Sequence, residues 1–189
     1  RNLEQVRSIK DEIKEGWLYF GPHALNTNTP PYKQTNSNQI KTFDKIYNEI
    51  DRFAGKKYNS RYLRLHYYSE SFELSNYWRD RKIKALFSTD RPKGSHRMPK
   101  EISAKLIRYG YAKYKKTSFL RTDFRVEWLS KKSISFKSYE ALFKDKIKCK
   151  KFIILYTHED ELKKKVNATC LKKVVSILQN KLKLRSIKP

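Results

Sequence analysis

Carboxylates are scarce in this chain: 19 Asp and Glu stand against 44 Lys and Arg, a formal net charge of +25. Such an excess points to an acidic partner, whether nucleic acid, an anionic glycan or a membrane surface. The plain alternative is a Lys-rich proteome, since Lys, Asn, Ile and Tyr are all abundant, though drift of that kind usually raises Glu as well. The basic residues are dispersed, with the densest groups at Lys113–Lys116, Lys144–Lys151 and Lys163–Lys165. Dispersal favours a solvated surface over a nucleic-acid reading groove. Cysteine is also scarce. Cys149 and Cys170 have no metal-type spacing and form no disulfide framework, so they read as ordinary thiols or a single bridge. Long apolar runs are missing: the longest, Phe152 to Tyr156, falls far short of the roughly 20 residues that span a bilayer. There is no Gly-rich phosphate loop, no Ser elbow and no Cys-rich zinc pattern. No signal peptide is visible, but the chain begins at Arg1 and enters at once an amphipathic pattern, Leu3, Val6, Ile9 and Ile13. An upstream segment is therefore expected, and the compartment stays open between cytoplasm and cell envelope.

What is present is helix–strand alternation. A first helix ends at Gly16, and a strand at Trp17–Phe20 is broken by Gly21-Pro22. A polar loop covers Asn26 to Asn38. A helix follows with its stripe at Ile40, Phe43, Ile46, Tyr47, Ile50 and Phe53, with Asn36 and Gln39 placed as a capping box. Strands are expected at Tyr62–Tyr67 and Ile83–Phe87, with a helix capped by Ser71 between them. Pro99 opens a helix that Gly110 closes. Tyr111 to Trp128 reads as two extended segments with a turn near Lys116–Ser118, and Ser138–Phe143 as a short helix. Phe152–Tyr156 has the composition of a strand buried on both faces, and the remainder is helical. This order predicts one α/β domain over residues 1–189, with a mostly parallel sheet of about five strands and outer helices. A helical segment over 160–189 is expected to pack on it.

Most of these strands end in a residue capable of chemistry, and in parallel α/β proteins that carboxyl rim is where active sites form. His23 follows Gly21-Pro22, a bend that lifts an imidazole onto the rim as a divalent-metal ligand or leaves a simple loop histidine. Arg64 and His66 share one face of their strand, either as an Arg steadying a carboxylate beside a metal or substrate contact, or as an outward pair. Asp90-Arg91 and Asp123-x-Arg125 are acid–base pairs suited to substrate positioning or to tying loops down. His158, at the end of the most apolar strand, suits acid–base work, while Glu159 either orients that ring or starts the next helix. His96 lies in a basic loop and reads as surface.

Five segments in order carry a resemblance: Trp17-Leu18-x-Phe20-Gly21-x-His23-Ala24, Glu49-Ile50-x-Arg52-Phe53-Ala54-Gly55, Arg64-Leu65-His66-Tyr67, Thr122-Asp123-x-Arg125-x-Glu127 and Leu155-Tyr156-Thr157-His158-Glu159. Together they resemble a divergent branch of the polysaccharide deacetylase-like proteins. That family implies a distorted (β/α) barrel of about seven strands. It also implies metal-dependent removal of acetyl groups from polysaccharide or amino sugar. By the resemblance His23 matches a metal-ligand histidine, Arg64 the arginine steadying the catalytic base, and His158 the general acid. Asp123 then falls among the catalytic residues, and Asp90, Arg91, Arg125 and Glu159 on the substrate side. The family's opening acidic motif would lie before Arg1, and the position of its second ligand histidine is Thr27, with His66 a candidate replacement. The resemblance thus implies an N-terminally truncated domain, a divalent ion such as zinc and an acetylated glycan substrate. A non-catalytic glycan or anionic-polymer binder, and a basic nucleic-acid binder, are the alternatives.

Overall fold

The computed structural model describes residues 15–16, 18–26, 28–66, 72–89, 98–131, 136–149 and 152–185. The chain divides into two compact units at Arg121, one up to Leu120 and one from Arg121 to Ile187. The expected first helix, Ser71, Asp90, Arg91 and His96 lie outside the described residues.

In the first unit, helix α1 runs Asn36–Phe53. Its cap is Thr35, whose side chain accepts from the Asn38 amide at 3.3 Å, rather than the expected pair Asn36 and Gln39. Phe43, Tyr47 and Ile50 form its buried stripe, as helical spacing dictates. Gly55, at φ 91°, turns the chain out of the helix. Strand β1 (Tyr62–Leu63), helix α2 (Ser75–Asp80) and strand β2 (Ala85–Ser88) follow. β1 and β2 are parallel, in register Tyr62 to Ala85 and Leu63 to Leu86. Helix α3 (Lys100–Tyr109) starts after Pro99 and stops at Gly110, whose φ of 70° a side chain would resist. Strands β3 (Tyr111–Tyr114) and β4 (Thr117–Arg121) pair antiparallel, with the turn at Lys115-Lys116. The sheet order is β1-β2-β4-β3. Its core joins Phe43, Tyr47, Trp78, Leu63, Leu86 and Phe119. Burying one such side chain contributes about 1.5–3 kcal/mol.

The second unit begins beyond β4 with strand β5 (Phe124–Arg125) and helix α4 (Val126–Lys131). Helix α5 covers Phe136–Cys149, more than twice the length expected from Ser138–Phe143. Strand β6 is only Leu155–Tyr156, and residues 152–158 are half-buried rather than buried on both faces. It runs parallel to β5, pairing Phe124 with Leu155 and Arg125 with Tyr156. Helices α6 (Glu159–Leu162) and α7 (Lys165–Ser176) complete it, with a π-helical turn at Ile177–Lys181. Val126, Leu129, Tyr139, Phe143, Val174 and Ile177 make a separate core. The architecture is thus α/β with mostly parallel pairing. The described residues form a four-stranded and a two-stranded sheet and no closed barrel. No helix among them is long and apolar enough to cross a membrane.

Candidate functional site

In the first unit, Phe20 bridges to Asn59, and Gly21 follows. A Cβ on Gly21 would sit 2.5 Å from Leu63 Cδ2, so the residue lets this segment lie directly on the end of β1. Two residues on, the His23 carbonyl accepts from the His66 amide at 3.0 Å. Beyond β1, Leu65 is buried while Arg64 and His66 are only half-buried, so the latter two share the face away from the core. The His23 ring reaches back across: Nδ1 lies 2.8 Å from the Arg64 carbonyl oxygen. A carbonyl only accepts, so Nδ1 carries the proton and Nε2 of the neutral ring is the acceptor. His66 Nδ1 lies 3.0 Å from that Nε2 and donates to it. The two rings meet edge to face, with centroids 4.9 Å apart. The structure therefore brings together His23 and His66, expected as metal ligands, and fixes the tautomer of both. Thr27 lies outside the described residues.

A divalent ion bridging the pair needs the His23 Nε2 lone pair, which is present, and a lone pair on His66 Nδ1, where a proton sits. Two nitrogens on one zinc at about 2.0–2.1 Å, near-tetrahedral, stand about 3.3 Å apart. The observed 3.0 Å is within a few tenths of that, but chelation requires both the His66 proton moved to Nε2 and the rings turned so that their lone pairs meet off the N–N line. The Arg64 carbonyl already provides the outer hydrogen bond that orients a ligating imidazole. A third ligand is not at hand: no group of three His, Cys, Asp or Glu suited to a metal occurs among the described residues.

In the second unit, the chemistry gathers where β5 and β6 end. His158 Nδ1 lies 2.7 Å from Glu127 Oε1. The Thr157 hydroxyl donates to Glu127 Oε2 at 3.1 Å. The Glu127 side chain is 7% exposed and that of His158 is 36% exposed. A buried carboxylate holding Nδ1–H places the exchangeable lone pair of the neutral ring on Nε2, as in the orienting acid of a catalytic triad. Arg125 stands nearby, its Nε 4.0 Å from Glu127 Oε1 and 2.6 Å from the Tyr156 hydroxyl, which accepts from it. The guanidinium also lies over the Trp128 ring at 4.3 Å and the Tyr156 ring at 5.0 Å. Trp128 is 45% exposed, giving this cluster an aromatic face toward solvent.

Asp123 belongs to the same unit but is engaged differently. Its amide donates to the Ile154 carbonyl at 3.0 Å, and its Oδ2 accepts from the Ile154 amide at 2.9 Å. That is the loop-tying role weighed for it in the sequence. Glu159 opens α6, and the partner of the His158 ring is Glu127, which the sequence did not single out. The available signal was the alternation Asp123-x-Arg125-x-Glu127: three charged residues on one face of a chain leaving a strand.

The fold and site define an α/β protein bearing a tautomer-locked histidine pair in one unit and a carboxylate-oriented histidine in the other. No family model, curated protein or solved structure matches the chain.

Proposed function

We propose that the chain is part of a metal-dependent hydrolase that removes acetyl groups from polysaccharide or amino sugar, of the polysaccharide deacetylase-like class with its distorted (β/α) barrel. One observation carries this reading: the buried Glu127 carboxylate aligns a half-exposed His158 at a strand end. As the imidazolium held through Nδ1 by Glu127, His158 gives its Nε2 proton to the departing amine or alcohol and is left as the neutral ring with its lone pair on Nε2. Arg125 and the exposed Trp128 ring hold sugar oxygens and a sugar face beside it, and Asp90, Arg91 and Glu159 contribute further substrate contacts. Asp123 serves the catalytic ring indirectly, by setting the strand that carries it.

His23 and His66 hold the divalent ion, zinc or a similar one. Bound there, it would supply Lewis-acid polarisation of a carbonyl and of water in the first unit. Arg64 orients His23 through its carbonyl and, by the resemblance, steadies a carboxylate base.

The test is acetate release from acetylated chito-oligomers with added zinc or cobalt. Turnover is expected, with His158→Ala lowering kcat by about 100-fold or more and Glu127→Gln by about 10-fold or more. Glu127→Gln should also alter the pH profile, which a merely structural role would leave alone. Separately, the visible spectrum of bound cobalt should appear in the wild type and be lost in His23→Ala. Absence of acetate release at every metal tried would sink the hydrolase reading.

A further inference from the structure

A cleft of about 630 Å³ opens in the first unit where α1 and α2 end. Five of its ten lining residues are cationic: Lys56, Lys57, Arg61, Arg81 and Lys82. Two are acidic, Asp51 and Asp80. The cations differ in their engagement. Arg81 is paired with Asp44 and lies over the Tyr47 ring at 4.3 Å. Lys57 lies over the Tyr58 ring at 4.9 Å. Lys56, Arg61 and Lys82 make no ion pair among the described residues. Of the acids, Asp80 already faces Arg79 at 2.9 Å, and Asp51 accepts from the Asn59 amide at 2.8 Å.

Lysines beside helix ends have a plain explanation, since each C-terminus carries about half a negative charge. Two such ends and the Asp51 carboxylate amount to about two charges, with Asp80 answered by Arg79, and the cleft holds four cations besides the paired Arg81. The surplus is therefore available to a ligand. Lys82 holds φ 59°, a left-handed conformation that Gly would adopt more cheaply, as do Lys115 and Lys183 away from the cleft.

We propose that this cleft binds an acidic saccharide, a sugar chain bearing carboxylates. The cations receive the carboxylate, while Asn48 and the Asp51 oxygen not engaged by Asn59 offer the amide and acceptors that sugar hydroxyls require. Nucleic acid fits less well. No lining ring is open for a base to stack on. Tyr77, the aromatic residue of the lining, donates its hydroxyl to Asp44 and packs against Trp78 and Phe43. The proposal rests on the glycan part of the function above, and it is tested by binding, so failure of acetyl hydrolysis does not decide it.

The experiment is calorimetric titration of the full chain with oligogalacturonate, with neutral maltodextrin and a single-stranded oligonucleotide in parallel. Oligogalacturonate is expected to bind and maltodextrin is not. The double variant Lys56→Ala/Arg61→Ala should weaken binding about tenfold. Lys82→Gly should weaken it about threefold while keeping a thermal midpoint at or above the wild type, which separates lost binding from lost folding. Lys163→Ala/Lys165→Ala, in the second unit, should change nothing. No binding of oligogalacturonate, or an equal loss in that control, would overturn the proposal. Tighter oligonucleotide binding abolished by the same cleft variants would assign the cleft to nucleic acid instead.

Discussion

At the residue scale, Gly21 shows how little stands between this chain and a different site. The nearest atom to a Cβ there is Leu63 Cδ2, and Leu63 is 1% exposed, so the leucine has little room to yield. Gly21→Ala should destabilise the first unit by about 1–3 kcal/mol. It should also lift the His23 segment off β1 and break the His23–His66 hydrogen bond. Thermal unfolding reads the first effect. The imidazole proton signals read the second, and if they are unchanged the close approach does not set that pair. The sequence announced Gly21-Pro22 as a bend and His23 as its product. It offered His66 only as a candidate replacement ligand, and the direct ring contact was not legible because it depends on β1 ending at Leu63.

At the element scale, α1 and α2 are joined by a polar knot as well as by apolar packing. Tyr77 donates to Asp44, Arg81 pairs with Asp44, and the Arg81 guanidinium covers Tyr47. Burial pushes both phenols above their ordinary range, and the bond to Asp44 adds to this for Tyr77, while Arg81 works the other way. A phenol raised in the folded state stabilises the fold below its unfolded value of about 10, and that contribution is lost as pH climbs past it. Urea midpoints should therefore fall as pH rises above about 10. Tyr47→Phe should flatten the decline and cost less than about 1 kcal/mol at neutral pH, since the Tyr47 hydroxyl has no hydrogen-bond partner among the described residues. An unchanged alkaline slope in Tyr47→Phe would remove the argument.

Much at this scale was legible beforehand. The stripe of α1, the start of α3 after Pro99 and its stop at Gly110, and an extended pair after Gly110 follow from local chemistry, but the pair ends at Arg121 and not at Trp128, which lies in the helix Val126–Lys131. The failures share a cause. Phe152–Tyr156 looked like a deep strand because every residue is apolar, yet only Leu155 and Tyr156 find a ladder partner, and apolar composition alone does not supply one. The length of α5 was missed because beyond Phe143 the helix is mostly charged, Lys144, Asp145, Lys146 and Lys148, with little apolar stripe to extend the pattern.

At the scale of the whole molecule, charge dominates. A net +25 on 189 residues repels itself, and only part of it is answered by ion pairs such as Arg52–Glu49, Lys144–Glu140 and Lys164–Glu161. Those pairs are largely exposed and contribute little each. Raising sodium chloride from about 20 mM to about 200 mM shortens the screening length from roughly 20 Å to under 10 Å. The thermal midpoint should rise by a few degrees over that range, as self-repulsion falls. A midpoint that drops instead would mean the attractive pairs outweigh the excess. Total charge was plain in the sequence. Its concentration around the ends of α1 and α2 was not, since Lys56, Arg61 and Lys82 meet only when the chain is folded.

The two contacts between Asp123 and Ile154 make a ladder rung in which a side-chain oxygen does the work of a backbone carbonyl. An ordinary rung is indifferent to sequence, so a parallel pair two residues long could slide. This one is not indifferent, because only a residue with a short acceptor at 123 closes it. The alignment of β6, and with it the spot where the imidazole four residues later emerges, is keyed to a single carboxylate.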